Sequence, residues 1–382
     1  MRSSILLAAR AVLVLGVASL AVVVGGGIML LSRPDFGTRP KQTYSQSPQY
    51  REDTRSFFNR QPDLLKDMRK RAFTFGVLKD WFSEGIDRSP KAPLPEVRPD
   101  IADFLKPSKT LKFIWFGHST VLLNIGGKVL LIDPIFSGSA APFSFMVKRF
   151  QPPVLTLSEL PPIDFILISH DHYDHLDMAS VKHFIPTSTK FLVPLGVSSH
   201  LVGWGLKASN IVELDWWQSA KFDDIEFVAT PAQHFSGRDG IHENETLWAS
   251  WVVRNEGHRV YFSGDSGYDT HFKDIGEKYG PFDVAFVENG QYNEKWREVH
   301  VLPEESVQAA IDLKAKRYVP IHWGMFILSF HTWYEPITRV AKILTSGEFT
   351  KMNQLKMVSP KLGQVVQVDD SYVNSNWWEG LF

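Results

Sequence analysis

Ser169-His170-Asp171-His172-Tyr173-Asp174-His175-Leu176-Asp177 follows directly on the apolar run Ile163-Asp164-Phe165-Ile166-Leu167-Ile168. The run reads as a buried strand, and the nine residues after it are what that strand delivers at its end. Four metal-competent side chains, His170, His172, Asp174 and His175, fall between positions 170 and 175. Imidazole nitrogen and carboxylate oxygen together suit Zn²⁺ and other first-row divalent ions. Polar groups gathered at a strand end are costly unless something satisfies them. The spacing therefore points to a metal centre rather than to incidental histidines.

The same arrangement recurs downstream. Residues 225–230 read as a strand leading to His234, 259–262 as a strand entering Ser263-Gly264-Asp265-Ser266-Gly267, and 318–321 as a strand leading to His322. A sheet scaffold converges its loops on one site in this way. Ahead of the motif, residues 111–116, 120–125 and 128–132 read as three short strands, with Gly126-Gly127 as a hairpin turn. Asp133 and Pro134 stop the third strand, and Asp133 stands where it could support a ligand histidine. The connection 135–162 carries Phe136, Phe143, Phe145 and Phe150 beside Lys148 and Arg149, a composition suited to a lid or a substrate-contact surface. Asp177 can cap a helix over 178–184. Further strands are expected at 190–193, 210–214, 247–254 and 283–287, and helices at 197–203 and 304–313.

Composition narrows the class. The chain has 382 residues, 44% of them apolar, with 12 Trp and 27 Phe, enough for a sizeable core. A net charge of −1 provides no basic field for nucleic acid. The absence of Cys excludes disulfides, thiolate ligands and a thiol nucleophile, and fits an extracytoplasmic location. Residues 11–31 are apolar and long enough to span a bilayer core, with Arg2 and Arg10 before them. They read as an uncleaved anchor with a cytoplasmic N-terminus, the alternative being a signal peptide removed on secretion to the periplasm or beyond. Four regions follow: an anchor or signal segment (1–32), a linker and amphipathic extension (33–109), a catalytic domain (110–365) and a tail (366–382). Within the extension, Leu64, Leu65, Met68, Ala72, Phe75, Leu78 and Phe82 recur at helical spacing across 57–82, with Lys66, Arg69, Lys70, Arg71 and Lys79 on the other face. That helix could pack on the domain or lie on an anionic membrane. The tail ends in Trp377-Trp378-Glu379-Gly380-Leu381-Phe382, which could dock on the domain or touch lipid.

The order and spacing of His170-x-His172-x-Asp174-His175, His234, Asp265 and His322 resemble the metallo-β-lactamase fold, and in particular the N-acylphosphatidylethanolamine-hydrolysing phospholipase D family, over roughly residues 110–345. Trp115-Phe116-Gly117-His118-Ser119-Thr120, Leu131-Ile132-Asp133-Pro134-Ile135-Phe136, Leu214-Asp215-Trp216-Trp217, Gly264-Asp265-Ser266-Gly267-Tyr268, His300 with Pro303-Glu304-Glu305, and Ile321-His322-Trp323-Gly324-Met325-Phe326 carry the likeness. Glu288-Asn289-Gly290-Gln291-Tyr292 and Val299 depart from the family pattern. The resemblance implies an α/β fold, a four-layer αββα sandwich. It implies two Zn²⁺ per chain, or other divalent ions, one held by His170, His172 and His234 and the other by Asp174, His175 and His322, with Asp265 bridging. Two such ions about 3.5–4 Å apart can generate hydroxide at neutral pH for attack on phosphorus. Two carboxylates and a hydroxide would leave the pair a net charge of about +1, suited to a phosphodiester monoanion. His300 is expected near the substrate, and His118 behind the ligands.

The leading expectation is a membrane-anchored phospholipase D-type phosphodiesterase acting on N-acylphosphatidylethanolamine or a related phospholipid, at a membrane surface and without nucleic acid. A lactonase or another carboxylic ester or amide hydrolase would use the same centre. A non-enzymatic envelope protein would require missing ligands, and all seven are present. Asp171 reads as a supporting group. His183, His200, His242, His258, His271 and His331 read as core or surface residues, and Trp216 and Trp217 as packing aromatics.

Overall fold

The computed structural model describes residues 33–72, 74, 76, 77, 79, 87–346, 355–369 and 371–382. The expected anchor at 11–31 lies outside them, as do Phe75, Leu78 and Phe82 of the expected helical stripe. Among the described residues no helix is long and apolar enough to cross a membrane.

Fourteen strands build two sheets of seven. In chain order they are β1 (Lys112–Trp115), β2 (Val121–Ile125), β3 (Lys128–Ile132), β4 (Phe165–Leu167), β5 (Lys190–Pro194), β6 (Ile211–Leu214), β7 (Ser219–Phe222), β8 (Ile225–Thr230), β9 (Ser250–Arg254), β10 (Arg259–Phe262), β11 (Val284–Glu288), β12 (Arg317–Ile321), β13 (Lys356–Met357) and β14 (Val365–Gln367). The first sheet runs β14-β1-β2-β3-β4-β5-β6 and the second β13-β12-β11-β10-β9-β8-β7. The β2–β3 hairpin turns on Gly126 and Gly127, both at positive φ (+61° and +86°), as a two-residue turn matched to strand twist requires.

Side-chain alternation decides the layering. In the first sheet Phe113, Leu123, Leu130, Phe165 and Leu167 join one core, which includes Phe227, Trp251 and Phe286 of the second sheet. Their neighbours Ile114, Leu122, Leu131 and Ile166 join a separate core on the other face. The rings of Phe113 and Phe286 meet edge to face at 4.9 Å, and Phe165 meets Phe227 at 4.8 Å, so the sheets pack face to face. Both faces of these strands are buried, which explains why they read as continuous apolar runs. Among the described residues seven α-helices accompany the sheets: α1 (Leu64–Ala72), α2 (Ile101–Leu105), α3 (Met178–Phe184), α4 (Ser198–Gly203), α5 (His271–Tyr279), α6 (Pro303–Asp312) and α7 (Glu335–Leu344). Phe104, Val181, Phe184 and Leu201 bring α2, α3 and α4 onto the outer face of the first sheet. Phe272, Ile275, Val307, Ala310, Ile337 and Val340 bring α5, α6 and α7 into the core of the second. The result is the expected α/β arrangement of two facing sheets with helices outside them.

Strand direction then places the site. β1 and β3 are each antiparallel to β2, and β4 is parallel to β3, so β1, β3 and β4 run the same way. By the same reasoning β8, β10, β11 and β12 run together in the second sheet. The residues following these strands, among them His118, Asp133, His170, His234, Asp265 and His322, therefore leave their sheets at corresponding edges.

Six of these elements carried no expectation, β7, β13, β14, α2, α5 and α7. β7 and β14 are short edge strands whose pairing is set by β8 and β1. β14 also spans position 366, where the tail was expected to begin. α5 and α7 show buried residues at helical spacing, Ile337, Val340, Ala341 and Leu344 in α7, a pattern present in the sequence. The tail docks: Trp377 and Trp378 are buried, and Trp377 stacks on Trp323 at 5.6 Å and 19°.

The region ahead of the sheets is also attached. Tyr44, Tyr50 and Phe57 form an aromatic cluster with centroids 5.0 to 5.7 Å apart. Tyr44 and Phe57 are buried in the main core. On α1, Met68 is buried, while Arg69 pairs with Glu243 and Arg71 with Glu298. Part of the basic face that could have met a membrane is thus paired with the domain.

Candidate metal centre

Seven expected ligands meet at the strand exits in two overlapping groups. His170 Nε2 lies 2.9 Å from His172 Nδ1, and His234 Nε2 lies 3.2 Å from the same atom. Tetrahedral coordination at the usual Zn–N length puts ligand nitrogens roughly 3.3 Å apart. On the other side Asp174 Oδ2 is 3.4 Å from His175 Nε2 and 3.2 Å from His322 Nε2. Asp265 lies between the groups. Its Oδ1 is 3.1 Å from His175 Nε2, and its Oδ2 is 3.1 Å from His322 Nε2, 3.9 Å from His170 Nε2 and 3.8 Å from His234 Nε2. His175 Nε2 and Asp265 Oδ1 are buried and face one another without a hydrogen bond. Two orphaned atoms aimed at a shared point are costly in a closed protein interior, and a cation satisfies both. The donor set thus fits metal ions, and these side chains can hold them.

Ring orientation is set from behind. His175 Nδ1 donates to Asp133 Oδ2 at 2.7 Å, in line with the supporting role expected of Asp133. Ser169 donates its hydroxyl to the same oxygen at 2.6 Å and sits 3.0 Å from His170 Nδ1. His234 Nδ1 donates to the Val299 carbonyl at 3.0 Å. These partners fix which ring nitrogen faces inward. His118 donates from Nε2 to Asp174 Oδ2 at 2.8 Å, with its own Nδ1 buried and unpartnered. Its backbone carbonyl accepts the His322 N–H at 2.9 Å, and both residues sit at positive φ, +50° and +67°. Non-glycine residues in that conformation cluster at functional sites.

Burial opposes every charge in the cluster. At His170 and His234 it prevails, joined by neighbouring histidines, and holds both imidazoles neutral as metal ligands must be. At His175 and His322 burial again opposes protonation, but Asp265 and Asp174 outweigh it and raise both. Burial pushes Asp174 and Asp265 up, and His175 more than offsets it, leaving both carboxylates well below their usual range. Protons and a divalent cation thus compete for one set of atoms.

Glu288 was not expected in this role. It is the last residue of β11, fully buried, with Oε2 accepting the Ser266 N–H at 2.6 Å. Oε1 lies 3.1 Å from His322 Nδ1 and also bonds His300 Nδ1. The His300 ring stacks parallel to His322 (5.4 Å, 10°) and meets His234 edge-on at 5.1 Å, so it flanks both groups. Its position at a strand exit, like His170, Asp265 and His322, is the signal that could have found Glu288. Gly290 allows the close approach: a Cβ there would fall 2.0 Å from the His322 carbonyl oxygen. Asn59 gave no such signal. It is buried, accepts the His234 N–H at 3.0 Å and donates to the His234 carbonyl at 2.8 Å.

The remaining candidates lie elsewhere. Asp177 caps α3 and also accepts the Ser137 N–H, which ties the 135–150 loop to the motif. Asp171 receives Gly237 N–H and the Thr246 hydroxyl and faces His200 Nε2 at 3.2 Å. Trp216 is buried, whereas Trp217 is partly exposed. A cleft of about 760 Å³ borders the motif at Tyr173 and Asp177, with Arg33, Phe143, Phe145 and Lys148 on its walls. It flanks the histidine cluster rather than containing it. Phe145 is 72% exposed at its rim.

His271, expected as a core or surface residue, is fully buried on α5, and burial, helped by Arg60, lowers its pKa to about 3. Folded His271 is neutral, whereas the unfolded residue takes up a proton below about 6.5. Its contribution to stability is present above that pH and is lost as pH falls toward 3. Melting of chelator-treated protein should show a shallower acid decline for His271→Phe than for wild type. Equal slopes would contradict the assignment.

Two facing sheets with a His/Asp cluster able to bind metal ions at the strand exits define a metal-dependent hydrolase scaffold. Residues 128–323 match the model of the beta-lactamase superfamily domain, and the chain belongs to that superfamily, as a metal-dependent hydrolase of the metallo-β-lactamase fold. It is 35% identical over 284 residues to an N-acyl-phosphatidylethanolamine-hydrolyzing phospholipase D 1 from Caenorhabditis elegans, covering 70% of this chain and 79% of that one. It is 48% identical over 102 residues to the outer membrane protein RomA of Klebsiella pneumoniae, 27% of this chain and 76% of that one. Among solved structures, the isothiocyanate hydrolase from Delia radicum gut bacteria shares the fold at TM-score 0.53 and 18% identity, over 67% of this chain and 98% of that one.

Proposed function

We propose that the protein is a zinc-dependent phosphodiesterase of phospholipase D type, acting on N-acylphosphatidylethanolamine or a related phospholipid. The observation that carries this reading is Asp265, whose two oxygens reach the ligand atoms of both groups. A shared carboxylate suits two cations held close together. His170, His172 and His234 would hold one ion, Asp174, His175 and His322 the other, and Asp265 both. When bound, such a pair acidifies water and neutralises charge growing on phosphoryl oxygens. The protein's own part is to hold these rings in one tautomer through Asp133, Ser169 and Val299, and to set His300 beside both groups. The flanking cleft, with Arg33 and Lys148 near Phe143 and Phe145, suits a ligand with an anionic head and apolar chains. The resemblance to the nematode phospholipase D supports the substrate class. The likeness to an outer membrane protein supports an envelope location, with the 11–31 run as anchor or signal.

Purified protein should contain two zinc ions per chain by elemental analysis. It should release phosphatidic acid from N-acylphosphatidylethanolamine vesicles, and chelation should abolish the release. Metal-loaded protein that leaves this lipid intact but opens lactones would overturn the phosphodiesterase reading in favour of a carboxylic ester hydrolase.

A further inference from the structure

We propose that residues 33–59 are a working part of the metal centre, and that Asn59 is a positioning residue for His234. The inference rests on the reading of His234 as a ligand. It concerns a segment outside residues 128–323, which match the superfamily domain.

Of the four ligands that come first after a strand, His234 stands farthest from its strand end. His170 and Asp265 stand three residues beyond Leu167 and Phe262, the last residues of their strands, and His322 follows Ile321 directly. His234 stands four residues beyond Thr230, the end of β8, past a proline and outside any ladder. A free loop would let its ring wander. The Asn59 side chain supplies the missing ladder: its amide oxygen accepts the His234 N–H and its amide nitrogen donates to the His234 carbonyl. One carboxamide thus pairs with both backbone groups of one residue, as a neighbouring strand would. With the backbone held there and Nδ1 held by Val299, the inward Nε2 has little freedom left.

The rest of the segment holds Asn59 in place. Phe57 N–H donates to the Asn244 carbonyl at 2.7 Å, and Ser236 N–H donates to the Asn244 side chain at 3.1 Å, so the segment and the loop after His234 form one unit. At the other end, Arg238 on that loop donates to the Asp35 carbonyl at 2.9 Å and also to the carbonyls of Asp171, inside the metal motif, and Leu176, directly after His175. The Trp204 indole donates to the Pro34 carbonyl at 2.7 Å, and His200, which faces Asp171, accepts the Thr38 N–H at 2.9 Å. The segment therefore touches both stretches that supply ligands to the first group. Among the described residues the hydrogen bonds of Asn59 to a ligand residue fall on His234 alone, so the influence of Asn59 should fall mainly on one ion of two.

The test is stepwise removal of zinc by a competing chelator from full-length protein. His234→Ala marks the ion that depends on this ligand. Asn59→Ala is expected to weaken that same ion 10- to 100-fold, the range usual for groups that orient a ligand, and to leave the second within about twofold. Asn59→Ser, which keeps a short acceptor, is expected to fall between and serves if Asn59→Ala does not fold. Tyr44→Leu loosens the same segment without touching His234, and should lower the melting temperature and weaken the His234-dependent ion by less than Asn59→Ala does. The proposal is overturned if the Asn59 variants lose melting temperature with neither ion weakened, or if both ions weaken equally. If His234→Ala releases no ion, the ligand assignment itself fails.

Discussion

Asp265→Asn is expected to reduce kcat/KM on the order of 10³-fold or more, well beyond the 10- to 100-fold typical of groups that only orient a ligand. Asparagine keeps the shape of the side chain and removes its charge. Among the described residues, Asp265 is the one carboxylate within 4 Å of ligand nitrogens in both groups. Its charge also helps to raise His175 and His322, so the variant should bind fewer protons there as well as fewer cations. Elemental analysis should show fewer than two ions per chain, with the fold intact by circular dichroism. A variant holding two ions with wild-type turnover would refute the shared role.

Trp323→Ala is expected to destabilise the fold by about 3–5 kcal/mol. Trp323 is buried between Trp115, stacked at 5.3 Å, and Trp377, stacked at 5.6 Å, and its indole N–H donates to the Pro320 carbonyl at 2.9 Å. Truncation would open a cavity in the main core and leave a buried carbonyl without its donor. Because Trp323 follows His322, and its own carbonyl accepts the His118 N–H, the cavity would also loosen the backbone behind the second ligand group. The urea midpoint at unchanged slope measures the first effect, and zinc affinity the second. A loss under 1 kcal/mol would mean that the tail does not complete this core.

Much of the site was legible because its chemistry is concentrated. His170, His172, Asp174 and His175 lie in one stretch, and His234, Asp265 and His322 each follow an apolar run too short for a helix. Periodicity and residue type reach such features directly. The limits are equally physical. Three-residue β14 has no pattern of its own and exists because β1 offers it a partner. The basic face of α1 read first as packing on the domain, with a membrane surface as the alternative, and that Arg69 and Arg71 pair with Glu243 and Glu298, far away in the chain, was not visible in the local pattern.

The sequence by itself determined the strand-exit logic, the histidine and aspartate types gathered there and the absence of thiolate, since these depend on local pattern and composition. Only the tertiary structure decided that Asp265 reaches both groups, that Glu288 joins His300 to His322, and that Asn59 holds His234. Those are distances between residues separated by up to 175 positions. Parallel strands bring such residues to one edge, and the packing of distant segments determines which atoms then meet.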